Sequence, residues 1–547
     1  MVLSNQKGMI LVISGLVMVV LLILCGIFLS RSISERRVVE KNKKMMRAVH
    51  IAEAGLNRAL RDLEVDIDNS AAWDDGDING LDITEFGPPA GYDKDNWYLL
   101  PYEETALDDG SYTVELKNVI EGSDSNSNGI GDNHIWVRSK GAVGDVEKMI
   151  RIYVKTENLS AWNNAIFSSG GASGRGITGN VDIRGSVHVL GQEPFVDENG
   201  NGVYDDGEFY TVVLDDGVWG RALLDTDLAF DLGGSTNIVG NSYKGLAAGL
   251  RDLIVDPPQT VFGSEVVETL NAKLRIKYGR AGFSGTATAG KPNNTGDIFK
   301  ETMDGAYVTD GYAGTKGADN VYSDNGTSSS YDGSDEVRLP SLRDYYLDTS
   351  TSTVYPTIDG GYQAYLKANA DTVVSGDLNM TTDADTDFNY YNEGTKKGIK
   401  KTGGVLTIGG IIYVEGGLQF NQGAANTFTY SGQGSILAEE DVAVTANLLT
   451  SGADSYPSNI IGVMTPKNIS FTTSQLEVMG VFYAENTITV TKQTDVVGAI
   501  MANYFDMGTN VPSVYHVPAV VDNLPPGIVA PDPVWVIRAL DWQEVDQ

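Results

Sequence analysis

The sequence has little cysteine, histidine or positive charge for a chain of 547 residues. One cysteine, Cys25, excludes an intrachain disulfide, so core packing, sheet hydrogen bonds and any bound metal must hold the fold together. The 39 Lys and Arg face 73 Asp and Glu, which gives a formal net charge of −34. Binding of nucleic acid requires clustered cations, so this charge balance argues against nucleic acid as a partner.

Residue patterns typical of enzymes are also missing. No Gly-x-Ser-x-Gly elbow stands on a credible strand–helix turn, and no His-Glu-x-x-His pattern occurs. His134 and His188 lie in strand-like stretches, where ordinary sheet positions explain them. Carboxylate pairs are too frequent in so acidic a chain to indicate glycoside hydrolysis. The sequence therefore predicts a protein that is not an enzyme.

The longest apolar run lies near the amino terminus. Met9–Leu29 contains 21 residues without a charge, enough for a helix to span the ~30 Å hydrocarbon core of a bilayer. It could belong to a cleaved signal peptide, an uncleaved signal anchor or a prepilin. A signal peptide fits worst because the run is too long and lacks a small-residue cleavage site. A lipoprotein would need a small residue before Cys25, where Leu24 stands.

Helical periodicity continues beyond the apolar run. Ser34–Leu63 contains no proline and repeats apolar residues at helical spacing. One helix from Met9 to about Leu63 would be roughly 80 Å long. Residues 1–62 hold ten Lys and Arg against four Asp and Glu, so the remaining body carries a net charge of −40. Such a body suits export and the binding of divalent cations.

Two short segments carry a family resemblance, over about 55 residues. Lys7-Gly8-Met9 resembles a prepilin peptidase site, and Arg47–Leu56 resembles the end of the amino-terminal helix of PilX-type minor pilins, which assist type IV pilus assembly. The resemblance implies cleavage between Gly8 and Met9 and methylation of the new terminus. It also implies that the apolar segment anchors the protein in the inner membrane before assembly and joins the filament core afterwards.

The sequence departs from the major-pilin pattern at one position. Major pilins carry Glu at the fifth mature residue, which here is Ile13. An unpaired buried carboxylate is costly, so its absence removes a recruiting contact together with a desolvation penalty. PilX-type proteins and the tip pseudopilins of type II secretion share this lack. The resemblance implies a minor, tip-proximal subunit whose partners are other pilins and prepilin peptidase, with its body in the periplasm and later on the pilus or cell surface.

The body divides into two regions by composition. Residues 98–157 show period-two strands separated by Gly turns, which predicts an antiparallel meander packed on the long helix, an α+β head similar to that of pilins. From about Asn163 the chain becomes rich in Gly, Thr, Ser, Asn and Asp. The predicted organisation is a leader 1–8, a helix 9–63, a head 64–160, a mainly-β domain 161–520 with an insertion around 225–370, and a capping tail 521–547.

The mainly-β region contains loose repeats. A segment beginning at Gly410 recurs at Gly434 after 24 residues, at Gly462 after 28, and at Gly480 and Gly498 after 18 each. Two short strands per repeat predict a right-handed parallel β-helix, because each coil buries its apolar row against the next. A β-sandwich is the alternative. Within the insertion, Leu246–Leu253 and Val266–Lys277 show helical patterns, and the Trp535 strand is expected to cap an open coil.

One segment matches the calcium-loop template D-x-[DN]-x-[DN]-G-x5-E at every fixed position. In Asp197–Glu208, Gly202 permits the sharp bend and Glu208 supplies a bidentate carboxylate. The candidate Ca²⁺ ligands are Asp197, Asn199, Asn201, the Val203 carbonyl, Asp205 and Glu208. A solvated acidic turn is the alternative. Strand-like residues follow, so the loop would lack the helices of an EF-hand.

Two further segments resemble the template less closely. Residues 124–132 repeat the first nine positions of the template, and the candidate ligands there are Asp124, Asn126, Asn128, Ile130 and Asp132. The twelfth position of this segment is Ile135 instead of an acid, which predicts weaker calcium binding. An Asn/Gly-rich hairpin loop is the alternative. Asp75–Gly80 begins likewise but has Phe86 in the last position.

The sequence as a whole predicts a minor pilin or pseudopilin at or near a filament tip. Its calcium-stabilised β-rich head would serve adhesion or partner binding, with a tip adhesin, a surface or a carbohydrate as ligand. The alternatives are a tip pseudopilin of type II secretion, and a membrane-anchored β-helix adhesin or carbohydrate-active protein outside any filament.

Overall fold

The computed structural model describes most of the chain outside several loops. The described residues are 5–69, 77–78, 81–82, 97–99, 102, 104–118, 134–169, 181–191, 229–232, 237–239, 243–257, 259–262, 265–268, 270, 272–277, 280–290, 305–308, 312–313, 333, 337–348, 350–490, 492–507, 512–529 and 535–545. They form two compact units, Met1–Asn158 with Trp535–Gln547, and Leu159–Val534.

The described elements are three α-helices, four short 3-10 helices and 37 strands. The α-helices are α1 (Asn5–Asn69), α2 (Ala248–Arg251) and α3 (Gly361–Ala368); the 3-10 helices are Ala161–Asn163, Thr357–Asp359, Ala384–Thr386 and Pro518–Asn523. The strands are β1 (Asp77–Ile78), β2 (Leu81–Asp82), β3 (Tyr98–Leu99), β4 (Thr105–Leu107), β5 (Gly110–Asn118), β6 (His134–Val143), β7 (Val146–Asn158), β8 (Ile166–Ser168), β9 (Asp182–Arg184), β10 (Val187–Val189), β11 (Ala229–Leu232), β12 (Asn237–Val239), β13 (Gln259–Phe262), β14 (Glu265–Glu268), β15 (Lys273–Ile276), β16 (Arg280–Phe283), β17 (Thr288–Ala289), β18 (Gly305–Val308), β19 (Tyr312–Ala313), β20 (Tyr346–Asp348), β21 (Thr353–Tyr355), β22 (Thr372–Val374), β23 (Leu378–Met380), β24 (Phe388–Asn389), β25 (Gly398–Thr402), β26 (Val405–Val414), β27 (Leu418–Phe420), β28 (Thr427–Ser431), β29 (Gln433–Ala438), β30 (Val442–Val444), β31 (Asn447–Thr450), β32 (Ile460–Thr465), β33 (Ile469–Phe471), β34 (Leu476–Val490), β35 (Thr494–Asp506), β36 (Ser513–Tyr515) and β37 (Trp535–Val545).

The first unit is a long helix packed on an antiparallel sheet. Helix α1 has 65 residues, about 98 Å of straight helix, and the absence of proline permits this length. Strands β5, β6 and β7 form the predicted antiparallel meander, with Val114 opposite Ser139 and Val137 opposite Ile152. Alternate strand residues are buried beneath the second half of α1, as period-two patterning requires. The fold is therefore α+β.

The last strand corrects the predicted capping tail. Strand β37 pairs antiparallel with β7, from Trp535 opposite Asn158 to Val545 opposite Met149. The sheet order is β3-β5-β6-β7-β37. Along the chain, the whole second unit, Leu159–Val534, therefore lies between two strands that are neighbours in the first unit's sheet. This pairing covers the long edge of β7, whose backbone groups would otherwise lack partners.

The second unit is built on parallel ladders. Gly410 lies opposite Gly434, and Gly480 lies opposite Gly498, as the 24- and 18-residue repeats predict. A second column pairs β27, β30, β33 and the end of β34, so each of these repeats contributes two strand segments. Buried aromatic rings fill the interior, including a Phe471–Phe482 pair at 5.1 Å in an edge-to-face arrangement.

Two of the predicted repeat offsets are wrong by one residue. Gly462 lies opposite Ser435 and opposite Val481, at offsets of 27 and 19 residues instead of 28 and 18. Every residue of β32 is buried, so no polar alternation marks which of its faces points to the core. Glycine alignment was a poor guide to register for that reason.

The predicted insertion around 225–370 is also corrected. Strands β15 and β18, within that range, extend the same parallel ladder as β10. The prediction of a helix within Leu246–Leu253 is confirmed by α2. The prediction of a helix at Val266–Lys277 is wrong, because β14 and β15 occupy that segment. This second prediction failed because β15 has only four residues, Lys-Leu-Arg-Ile, too few for their alternation to be distinguished from a helical period, and all four are buried.

The order of strands in the stack differs from their order in the chain. Strand β8 pairs in parallel with β10 on one side and with β35 on the other. The chain therefore enters the stack in its middle, builds β10, β15 and β18 outward, and later returns from β22 through β35 to meet its own first strand. This closure joins two half-stacks into one ladder.

Candidate functional site

The first candidate site is the amino-terminal half of α1. Leu11 to Leu29 contains predominantly exposed apolar side chains, and Ile13 is 54% exposed. By length and composition, α1 contains a window suited to crossing a membrane. The predicted processing residues Gly8 and Met9 lie within the first turns of the helix, which begins at Asn5. An apolar surface of this extent requires lipid or neighbouring helices to cover it.

The second half of α1 approaches the sheet through small residues. Ala48, Ala52 and Ala59 are buried, at the helical spacing that places them on one face. Gly141 of β6 lies directly against this face, and a Cβ there would stand 2.6 Å from the Ala52 nitrogen and closer still to the Ala48 carbonyl oxygen. Helix backbone and strand backbone therefore meet without intervening side chains.

The segment that carries the family resemblance has a packing role in this interface. A Cβ at Gly55 would lie 2.6 Å from both the Tyr112 ring and the Ser139 hydroxyl oxygen. Sequence reasoning did not identify Gly141, although glycine within a strand pattern is a known signal of close backbone approach. Close packing against the sheet thus explains the small residues of the Ala52–Leu56 segment in this chain.

Ion pairs flank the same interface. The Lys44 ammonium donates to Asp145 Oδ1 at 2.7 Å, and this hydrogen bond raises the lysine pKa and lowers that of the aspartate. The Arg47 guanidinium donates to Asp109. Asp145 is largely exposed and the other three side chains are nearly half exposed, so solvent screening limits what the pairs add to stability.

The predicted calcium ligands fall mostly outside the described residues. This holds for the whole segment 197–208 and for 124–132. Of the third segment, Asp77 and Ile78 are described and pair with Asp82 and Leu81 in a small antiparallel ladder. Among the residues that the structure describes, no group of three His, Cys, Asp or Glu is arranged to hold a metal ion.

A second candidate site is a cleft of about 920 Å³ in the second unit, called the groove below. Its floor crosses seven consecutive parallel strands, β15, β10, β8, β35, β34, β32 and β29. Five floor residues directly follow their strands, whereas Glu485 and Asn503 lie within β34 and β35. These floor residues are Lys277, Leu190, Ser169, Asn503, Glu485, Pro466 and Glu439. Six intervals of about 4.8 Å make the floor roughly 29 Å long.

The segment 337–343 forms one wall of the groove. Tyr483 donates its hydroxyl hydrogen to the Pro340 carbonyl oxygen at 2.7 Å. Glu485 Oε1 accepts hydrogen bonds from the Ser341 hydroxyl at 2.6 Å and the Leu342 amide at 2.7 Å. These three bonds hold the wall against β34. Burial raises the pKa of Tyr483 well above its usual value, so the hydroxyl remains a donor.

At the other end of the groove a carboxylate is internally satisfied. Glu439 Oε1 accepts from the Tyr413 hydroxyl at 2.6 Å and from the Lys367 ammonium at 3.1 Å. Burial, with a smaller effect of Glu439, raises the pKa of Tyr413 to about 12. Hydrogen bonds to Glu415 and Glu439 raise the pKa of Lys367. No motif in the sequence marks the groove; alignment of the residues after each repeat would have been the only available signal.

Similarity to known proteins is found at the level of structure. No protein-family model matches the chain, and no curated protein matches it. The chain is similar to the competence-associated pilin ComZ from Thermus thermophilus, with 18% identity, a TM-score of 0.48, and coverage of 92% of this chain and 98% of that chain.

Proposed function

We propose that the chain is a minor pilin or pseudopilin of a type IV pilus or a related filament system. The observation that carries the proposal is α1, a single helix with an exposed apolar first half and a second half buried on an antiparallel sheet. This division suits a subunit that uses one helix twice. The apolar half lies in the inner membrane before assembly and against the helices of other pilins afterwards.

The helix also supports a minor role. With cleavage after Gly8, Ile13 becomes the fifth residue, and this position offers no carboxylate to a neighbour's terminal amine. The chain would add to the filament through apolar packing alone, which suits a subunit at or near the tip. A tip pseudopilin of type II secretion is the second candidate, favoured by the same residue.

The second unit is proposed as the exposed binding head. Its in-register parallel ladders and two strand segments per repeat support a right-handed parallel β-helix. Calcium at Asp197–Glu208 would stabilise this unit, and its role would be adhesion or partner binding without catalysis. An acidic surface keeps such a head soluble outside the membrane.

Processing is the direct test of the filament proposal. When the full chain is incubated with prepilin peptidase, mass spectrometry should show residues 1–8 removed and, with the methyl donor supplied, a methylated Met9. Gly8→Val should abolish cleavage because the residue preceding the cut becomes β-branched. Gly15→Ala is the control, since a Cβ at Gly15 meets nothing within 4 Å. Retention of residues 1–8 in the wild-type mature protein would refute the filament role.

The calcium proposal is tested at the twelfth loop position. Glu208→Gln should lower the calcium stoichiometry by one ion because a neutral amide replaces the bidentate carboxylate. At a calcium concentration 100 times the Kd, the wild-type protein should gain about 2.7 kcal/mol over the chelated form, and the variant should lose this gain. Glu198→Gln at the non-ligating second position is the matched control. Equal stoichiometry in Glu208→Gln and wild type would exclude the site.

A further inference from the structure

We propose that the groove binds a linear acidic polysaccharide, a sugar chain bearing carboxylate groups. The proposal rests on the suggested role of the second unit as a binding head, but not on filament assembly. Every described residue that lines the groove belongs to the second unit. The ligand class follows from the charge, the rigidity, the length and the composition of the groove.

Charge is the first argument. Arg338, Arg343 and Lys467 line the groove, and none forms an ion pair or a side-chain hydrogen bond with any residue that the structure describes. By contrast, Glu485 and Glu439 are already engaged by donors from the wall and from the neighbouring coil. Arg338, Arg343 and Lys467 therefore face the cavity without a partner among the described residues, and they outnumber Glu440, the remaining lining carboxylate. Carboxylates are suitable ligands because arginine binds them through two parallel hydrogen bonds.

The second argument is rigidity. Arg338 and Arg343 flank the Pro340–Leu342 segment. This segment is fixed to β34 because it accepts a hydrogen bond from Tyr483 and donates hydrogen bonds to Glu485. The Ser341 hydroxyl also accepts from the Arg343 amide at 3.0 Å. The two guanidinium groups are thus carried on a backbone that is ordered before any ligand arrives. Such preorganisation lowers the entropy lost on binding.

The shape of the groove selects an extended ligand. Its floor crosses seven strands over roughly 29 Å, which is far longer than a single carboxylate or phosphate requires. The polar groups along it include the amides of Asn486, Asn503 and Gln363. Asn503 already bonds to Ser169 and to the Glu485 carbonyl oxygen, and Gln363 donates to Tyr413, so these two offer only their remaining hydrogen-bonding positions. Neutral amide groups suit sugar hydroxyls, which donate and accept hydrogen bonds alike. A linear glycan laid along the stack would meet amides on the floor and arginines on the wall.

The same lining argues against single-stranded nucleic acid. Binding of that class depends on exposed aromatic rings that stack on the bases. Among the described lining residues the only aromatic ring is Tyr483, which is fully buried. A groove with cations and amides but no stacking surface fits a sugar chain better.

The test measures binding of defined probes to the full chain in detergent. Oligogalacturonate should bind by isothermal calorimetry, with an affinity that falls as salt is raised. Maltooligosaccharide of equal length and single-stranded DNA should bind at least tenfold more weakly. The double variant Arg338→Gln, Arg343→Gln should lose at least tenfold in oligogalacturonate affinity. Its thermal unfolding should be unchanged because neither guanidinium bonds to a described residue.

Controls separate this proposal from the proposed function. Lys492→Gln removes an exposed cation outside the groove and should bind oligogalacturonate as the wild type does. Lys467→Glu should weaken binding without involving the wall. Absence of wild-type binding, or equal affinity in the double arginine variant, would overturn the proposal, as would tighter binding of DNA. Cleavage after Gly8 is scored on the same variants and should be normal in all of them.

Discussion

Gly141→Ala is expected to destabilise the first unit by about 3 kcal/mol or more, at the upper end of the cost of overpacking a core. The new methyl group would stand 2.6 Å from the Ala52 nitrogen and nearer still to the Ala48 carbonyl oxygen. Both are backbone atoms of α1, and a backbone in a helix cannot rotate away as a flexible side chain can. The helix must move off the sheet, which opens the core that Ile51 and Leu56 fill.

Chemical denaturation of the full chain in detergent measures this effect as an earlier transition of the first unit. Gly249→Ala is the matched control, because a Cβ there meets nothing within 4 Å and lies in a helix. The control should be neutral or slightly stabilising. Filament incorporation should fall with Gly141→Ala but persist with Gly249→Ala. Coincident unfolding curves for Gly141→Ala and wild type would show that the close backbone approach is wrong.

Phe482→Ala is expected to destabilise the second unit by about 3–5 kcal/mol, the usual cost of removing a buried phenyl ring. The ring is fully buried and packs edge-to-face on Phe471 at 5.1 Å. Its neighbours in the ladder are Val463 and Ile500. Parallel strands held by hydrogen bonds on both sides cannot collapse into the space, so most of the cavity should persist.

The measurement is the thermal midpoint of the second unit by calorimetry. Phe482→Leu should cost less because more of the cavity remains filled. Tyr345→Ala, which removes a ring that is 60% exposed, is the control and should change the midpoint little. A loss for Phe482→Ala no greater than that for Tyr345→Ala would place Phe482 outside the core. Binding of oligogalacturonate should fall with Phe482→Ala only at temperatures where the second unit unfolds.

Local patterns predicted the elements whose neighbours lie close in sequence. The long helix followed from the apolar run and the absence of proline, and the meander followed from period-two strands separated by short turns. The 24- and 18-residue repeats placed Gly410 on Gly434 and Gly480 on Gly498. Each prediction depends on covalent geometry and side-chain alternation, which are properties of the local sequence.

The predicted strand register is wrong where both faces of a strand are buried, because burial removes the alternation of polar and apolar residues. Strand β32 is buried on both faces, so the offset of Gly462 could not be read from polarity. The helical prediction over β15 is wrong for a different reason, because the four residues Lys-Leu-Arg-Ile are too few to establish a period. The calcium loop at Asp197–Glu208 stays a prediction of the sequence, because its residues lie outside those the structure describes.

The sequence by itself determined a long apolar helix, a sheet-forming head and a repetitive β region, because hydrophobic periodicity follows from local geometry. Only the tertiary structure decided that β37 returns to β7 and that β35 meets β8. These strands are separated by hundreds of residues, and any exposed strand edge offers the same hydrogen-bonding groups. The groove, whose floor crosses seven strands, exists only once those long-range pairings are made.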